Sequence, residues 1–165
     1  MTAAPTPTYY WEDFAAGSVR EFGGTLVNKD DVIRFASEFD PQPFHLDEDA
    51  ARASLFGGLA ASGWHTCAMV MRMMCDAYLL DSASLGSPGL EKLQWLKPVY
   101  PGDVLRVRMT ILESRPMNSK PHVGLIRSQW EAIARRRDGR EDVVLQMEGW
   151  GMFRRRNPGE AGPAA

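Results

Sequence analysis

The chain has 165 residues, a length that corresponds to one domain large enough to bury a substantial apolar core. Hydrophobic residues make up 44% and charged residues 24%, which is typical of globular proteins and excludes a disordered or fibrous chain. There are 19 basic against 21 acidic residues, for a net charge of −2. This balance argues against nucleic-acid binding, because no basic excess is available for a phosphate backbone.

Both ends of the chain are predicted to be disordered tails. Residues 1–8 contain two prolines and lack the basic start and apolar run of a signal peptide. Residues 157–165 are assigned to a second tail. We therefore expect a single folded domain over residues 9–156.

The most apolar window, residues 59–80, is predicted to be a long buried helix and not a membrane span. It contains three residues that are costly at the centre of a bilayer, namely His65, Arg72 and Asp76. Cys67 and Cys75 lie about 12 Å apart along this helix, which is too far for a disulfide. We therefore expect two reduced thiols and a cytoplasmic protein.

The first half of the chain shows local signals for one strand and two helices. Residues 19–27 predict a strand, and Asn28 is a good N-cap for the helix that follows. Apolar side chains recur at helical spacing in that helix, at Val32, Ile33, Phe35, Ala36 and Phe39. The prolines of residues 40–45 end this helix and make that segment a stiff loop. A second short helix is predicted from Asp47.

The second half of the chain is dominated by strands. Residues 90–99 predict a strand that ends at the turn of residues 100–103. Apolar and polar residues alternate in three later segments, at residues 105–111, 126–134 and 143–153. The connections are too short for helical crossovers, so the strands pair antiparallel. The predicted fold class is α+β, with one antiparallel sheet wrapped around the long helix.

The stiff loop holds the clearest candidates for chemistry. Asp40 and His45 stand at its two ends, and the prolines between them fix the directions of their side chains. A carboxylate and an imidazole that are held together can bind and activate a water molecule. The spacing also allows Asp40 to cap the loop and His45 to pack in the core, so the pattern alone leaves both interpretations open.

The same loop resembles the signature of the MaoC-like dehydratases, the (R)-specific enoyl-CoA hydratases. The run Asp-Pro-Gln-Pro-Phe-His at residues 40–45 is similar to the family's Asp-x-Asn-Pro-x-His. Further segments resemble the family in the same order, at residues 27–36, 58–63 and 98–105. The resemblance implies a single hot-dog domain, in which an antiparallel sheet wraps around a long central helix.

The resemblance also implies roles for individual residues. Asp40 and His45 would hold the catalytic water, and the backbone N–H of Gly63 would bind the thioester oxygen. A first-turn N–H suits this role because it has no intrahelical acceptor and lies at the positive end of the helix dipole. The implied reaction is reversible addition of water to a trans-2-enoyl-CoA, which gives (R)-3-hydroxyacyl-CoA in fatty acid metabolism. It requires no metal and no redox cofactor.

Three positions at the expected pocket differ from the family's usual residues. Gln42 stands in place of Asn, Phe44 in place of a smaller aliphatic residue, and Ser62 in place of a His that many members carry before the glycine. Gln42 is one methylene longer than Asn, and Phe44 narrows the pocket. We therefore expect these three residues to contact the substrate and to shape its selection.

Further candidates for substrate binding are His65, Arg115 and Lys120. His65 follows Gly63 closely and either lines the site or packs in the core; metal binding is the weaker interpretation, because no cysteine or carboxylate stands at ligand spacing. Arg115 and Lys120 lie in a loop that resembles one near the family's pocket mouth, so they are candidates for binding CoA phosphates. The arginine-rich residues 135–140 are also candidates for binding CoA phosphates, although a solvated hairpin tip is the simpler interpretation of this segment.

Two other functions remain open at this point. A hot-dog thioesterase would also use a carboxylate and a helix N-terminus, but it would hydrolyse the C–S bond. A noncatalytic acyl-CoA-binding protein would keep the pocket and would have no use for Asp40 paired with His45. The expected partners are an acyl-CoA and a second copy of the chain, as a homodimer or an assembly of dimers, with no nucleic acid and no membrane.

Overall fold

Residues 6–160 are described by a computed structural model and form one five-stranded sheet with four α-helices. The helices are α1 (Lys29–Phe39), α2 (Pro43–Leu46), α3 (Glu48–Arg52) and α4 (Gly63–Met74). The strands are β1 (Val19–Leu26), β2 (Ser84–Trp95), β3 (Val104–Pro116), β4 (Val123–Arg135) and β5 (Glu141–Arg154). All neighbouring strands pair antiparallel in the order β1-β3-β4-β5-β2, which leaves β1 and β2 at the edges.

The core lies between α4 and one face of the sheet, as predicted. From α4, Val70 and Met73 are buried, and a π-helical segment, Cys75–Leu79, extends the helix. The sheet contributes alternate residues of its central strands, among them Leu105, Val107, Met109, Ile111, Ala132 and Leu145. The α+β class and the sheet wrapped around a central helix are therefore confirmed.

The predicted N-cap of α1 is confirmed, and two further helices also begin at side-chain caps. The Asn28 side chain accepts hydrogen bonds from the backbone N–H groups of Asp30 at 2.8 Å and Asp31 at 3.3 Å. Asp47 caps α3 in the same way. At the start of α4, the Ser62 hydroxyl accepts from the Trp64 N–H at 3.3 Å, so the helix begins at Gly63. These caps fix where each helix begins and therefore where the loops before them lie.

Three segments differ from the prediction. The helix predicted over residues 59–80 begins only at Gly63. Strand β2 begins at Ser84, before the predicted start at residue 90, because bulges at Gly86 and Gly89 interrupt the alternation that marks a strand. It ends at Trp95, before the predicted end at residue 99. Both glycines have positive φ, 96° and 142°. The predicted stiff loop of residues 40–45 contains α2, since the fixed φ of Pro43 suits the first position of a helix.

The predicted tails lie partly outside the described residues, which leave out 1–5 and 161–165. Within the described range, the Thr8 N–H donates to the Asp81 carbonyl at 2.9 Å, and the Asn157 N–H donates to the Glu12 carboxylate at 3.0 Å. Cys67 and Cys75 are free thiols, as predicted. No helix within residues 6–160 combines the length and the apolar character needed to cross a membrane.

Candidate active site

The loop after α1 brings the two predicted catalytic side chains face to face. Asp40 is the C-cap of α1, and His45 lies on the single turn of α2. The Nε2 atom of His45 lies 3.5 Å from Oδ2 of Asp40. Both side chains are largely buried, with 6% and 17% of their surfaces exposed. Of the two interpretations of the sequence, the structure favours a paired carboxylate and imidazole.

The orientation of the His45 ring is fixed by a backbone carbonyl. Its Nδ1 atom lies 2.7 Å from the carbonyl oxygen of Ala60. A carbonyl only accepts hydrogen bonds, so Nδ1 carries a proton, and Nε2 is the ring atom that faces Asp40. Asp40 and His45 both line the cavity described below, where together they can bind a water molecule. Such a water is polarised for attack on an electrophile.

Asp40 is held by a hydrogen-bond donor on each of its oxygen atoms. The Ser62 hydroxyl donates to Oδ2 at 2.6 Å, and the Gln42 side-chain amide donates to Oδ1 at 2.8 Å. The Ser62 bond is the main reason that the pKa of Asp40 lies below its ordinary value; Gln42 and the charge of His45 act in the same direction, against desolvation. Asp40 is therefore ionised at neutral pH.

Gly63 brings a helix N-terminus to the same cavity. It is the first residue of α4, so its N–H has no acceptor within the helix. The indole of Trp95 lies against it: a Cβ atom at this position would stand 2.6 Å from Trp95 Nε1. Only glycine fits between Ser62 and this indole without displacing it.

These residues surround one cavity of about 390 Å³. Five predicted site residues line it directly, namely Asp40, Gln42, Phe44, His45 and Gly63, and Ser62 reaches it through its bond to Asp40. Most of the remaining wall is apolar and includes Phe56, Trp64 and Trp95. The sequence did not indicate these aromatic residues, because their isolated positions beside glycines or at a strand end give no periodic signal. The cavity combines an apolar space with a paired carboxylate and imidazole.

Three other predicted site residues lie away from this cavity. The buried ring of His65 stacks on Phe35 with centroids 4.7 Å apart, and burial lowers its pKa. Arg115 pairs with Glu113 and stacks on Trp150. Arg115 and Lys120 lie near the start of β4, whereas the cavity adjoins its last residues, about 25 Å further along the sheet. One copy of the chain does not bring these residues to the cavity.

The chain is similar in sequence to a known protein family and to proteins of other organisms. Residues 14–129 match the family model described as MaoC like domain. YdeM of Bacillus subtilis, an uncharacterized protein, is 32% identical over 109 residues, which cover 66% of this chain and 77% of YdeM. Protein MaoC of Klebsiella aerogenes is 28% identical over 102 residues. That match covers 61% of this chain and only 30% of the Klebsiella protein.

Solved structures show the same fold. The MaoC-like dehydratase from Rhodospirillum rubrum is 40% identical with a TM-score of 0.80, and the match covers 90% of this chain and 99% of that one. The unliganded (R)-hydratase PhaJ1 from Pseudomonas aeruginosa is 20% identical with a TM-score of 0.68, over 94% and 95% of the two chains. At this identity, the likeness to PhaJ1 concerns the fold alone.

Proposed function

The chain belongs to the MaoC-like domain family and has its hot-dog fold, and from that premise we propose that it adds water reversibly to the double bond of a trans-2-enoyl-CoA. The product is an (R)-3-hydroxyacyl-CoA. One observation carries the proposal: Nε2 of His45 faces the carboxylate of Asp40 at 3.5 Å, in a cavity that the first residue of α4 also lines.

In the proposed reaction, the Asp40–His45 pair removes one proton from the bound water. The water oxygen bonds to C3 of the enoyl group, and the electron pair of the double bond moves towards the thioester oxygen. The N–H of Gly63 stabilises the negative charge that develops there. C2 then takes a proton from the pair, which restores the starting state. The two groups share the proton, so the acid and base roles belong to the pair. No metal or redox cofactor takes part.

The walls of the cavity support an acyl substrate. Phe44 and Phe56 pack against one another and provide an apolar surface beside the reacting groups. A second, largely apolar cavity of about 490 Å³ lies along α4 and shares Trp64 with the first. Together these spaces suit the acyl chain of a thioester used in fatty acid metabolism.

We also propose that two copies of the chain form the working unit. Strand β2 is a free edge, and large apolar side chains are exposed on it, among them Leu85, Leu90 and Trp95. Trp64 and Met71 of α4 are also exposed. These two residues and Leu90 line the second cavity. Pairing of β2 with a second copy provides partners for the backbone N–H and C=O groups of the edge strand and buries this apolar surface.

We also propose a cytoplasmic location, which the two free thiols fit.

The alternatives of thioester hydrolysis and acyl-CoA binding without catalysis are separated by one experiment. The purified protein is mixed with crotonyl-CoA, 3-hydroxybutyryl-CoA and butyryl-CoA, while the conjugated thioester absorbance and free thiol are measured in parallel. We expect crotonyl-CoA absorbance to fall without thiol release. Thiol release, most of all from butyryl-CoA, would indicate a thioesterase, and binding without either change would indicate a noncatalytic protein.

A further inference from the structure

A second, charged space adjoins the catalytic cavity. This crevice of about 780 Å³ shares Lys97 with the cavity. It also shares a wall: Tyr100 lines the crevice, and its hydroxyl donates to the carbonyl of Phe56, which lines the cavity, at 2.7 Å. A substrate that extends out of the cavity past Lys97 therefore enters the crevice.

The crevice is positive, although the whole chain carries a net charge of −2. Five basic side chains line it, against four acidic ones. Two of the acidic side chains, Asp103 and Asp142, accept hydrogen bonds from Arg136 at 2.5 Å and 3.0 Å. Arg136 also donates to the carbonyl of Pro98 at 3.1 Å, so it holds the crevice wall together and is not free for a ligand.

Arg137 differs from the other basic residues of the crevice. Lys29, Lys97, Arg136 and Arg140 each pair with an acidic side chain, whereas within residues 6–160 Arg137 pairs with none. Its guanidinium donates to the carbonyl of Pro101 at 3.2 Å. It lies on Gly102, where φ is +93° and a Cβ atom would stand 2.2 Å from Arg137 Nε. The turn therefore positions this guanidinium and leaves donors unused.

We propose that Arg137 binds a phosphate group of the substrate outside the catalytic cavity. The inference rests on the proposed function and adds to it a site for the phosphorylated end of the thioester. A guanidinium without a carboxylate partner offers paired donors to phosphate oxygens. Lys97, which is paired with Asp142, lines both spaces and marks the path from the cavity to the crevice. The phosphate belongs either to CoA or to the phosphopantetheine of a carrier protein.

The test compares substrates that differ only in phosphate. Crotonyl-CoA, crotonyl-4′-phosphopantetheine and crotonyl-pantetheine are hydrated by the wild type, by Arg137→Ala and by Arg135→Ala. Arg135 is a matched control, because it is exposed, lies two positions away and does not line the crevice. Loss of a charge-assisted phosphate contact in Arg137→Ala is expected to raise KM for crotonyl-CoA roughly tenfold at low salt, with kcat unchanged. Added salt should reduce the difference.

The KM for crotonyl-pantetheine, which has no phosphate, should be the same in all three proteins. If the KM defect of Arg137→Ala appears with crotonyl-4′-phosphopantetheine as well as with crotonyl-CoA, the bound phosphate is the one that carrier proteins share. A defect with crotonyl-CoA alone assigns the site to the nucleotide phosphates. Equal effects of Arg137→Ala and Arg135→Ala, or a defect with crotonyl-pantetheine, would overturn the proposal.

A binding measurement separates this inference from the proposed reaction. Titration calorimetry with CoA itself needs no turnover, so it is informative even if the wild type hydrates none of the thioesters. We expect CoA to bind the wild type and Arg135→Ala equally and Arg137→Ala roughly tenfold more weakly. Equal binding to all three proteins, with equal thermal melting curves, would refute the phosphate site.

Discussion

At the scale of single residues, Ser62 lowers the pKa of Asp40, because its hydroxyl donates to Oδ2 at 2.6 Å. Replacing Ser62 by Ala removes the main cause of the lowered pKa of Asp40, so that pKa should rise. The carboxylate is then lost at a higher pH. We predict that the acid limb of the kcat/KM profile moves to higher pH. At pH 7, where Asp40 stays ionised, we expect a rate loss of roughly three- to tenfold, because the carboxylate loses a hydrogen bond that positions it.

The matched control is Ser37→Ala, which removes a hydroxyl bonded to a backbone carbonyl of α1 away from the cavity. Its pH profile should be unchanged. The lowered pKa of Asp40 also affects stability. It stabilises the folded state at pH values above the ordinary pKa of an aspartate, and this contribution is lost as the pH falls through the lowered pKa of Asp40 in the folded protein. An acid limb in the same place for wild type and Ser62→Ala would contradict the role given to Ser62.

The sequence predicted part of this site. Asp40 and His45 were identifiable because the short loop that carries both is stiffened by prolines. The bond from Ser62 to Asp40 joins residues 22 positions apart, and the contact of Trp95 with Gly63 joins two more distant segments. Such contacts depend on tertiary packing, for which no local pattern exists.

At the scale of elements, Arg136 connects the hairpin between β4 and β5 to the turn after β2. Its partner Asp103 is buried, with 5% of the side chain exposed. We predict that Arg136→Ala lowers the free energy of unfolding by about 3–5 kcal/mol, because it leaves a buried carboxylate without its cation. Urea denaturation measures this change.

Arg140→Ala serves as the control for Arg136→Ala. Arg140 belongs to the same hairpin, but it pairs with Asp138 at the surface, where 74% of its side chain is exposed. An exposed pair contributes little to stability, so the urea midpoint should hardly move. If the two variants unfold at the same urea concentration, Arg136 does not connect the elements as described.

The elements themselves were predicted unequally. Helices α1 and α3 follow from side chains that cap their own first turns, and the central strands follow from strict alternation. Strand β2 was predicted too short, because its glycine bulges break that alternation. Strand β2 lies at the sheet edge and pairs with β5, not with β3. This position depends on tertiary packing, so the sequence of β2 alone does not predict it.

At the scale of the whole molecule, the proposed dimer rests on the free edge of β2. Leu90 is 51% exposed on this strand, and a lysine there would place a charge in the interface. We predict that Leu90→Lys sediments as a monomer at concentrations where the wild type sediments as a dimer. Val19→Lys, at a residue 56% exposed on the opposite edge strand β1, should remain dimeric.

The result for the two edges decides the assembly. Dissociation by Val19→Lys and not by Leu90→Lys would move the interface to β1. A wild type that sediments as a monomer would exclude the dimer altogether. In either case the catalytic cavity, which is built from one chain, would still contain Asp40, His45 and Gly63.

The central claim is that Asp40 and His45 activate water for addition to an enoyl thioester. The most direct measurement is the initial rate at which crotonyl-CoA loses its conjugated absorbance with wild type, Asp40→Asn and His45→Gln, each checked for an unchanged melting temperature. We predict hydration by the wild type and a loss of roughly 100-fold or more in each variant, the usual contribution of a positioned acid or base. Equal rates in all three proteins would contradict the claim, as would a wild type that leaves crotonyl-CoA unchanged.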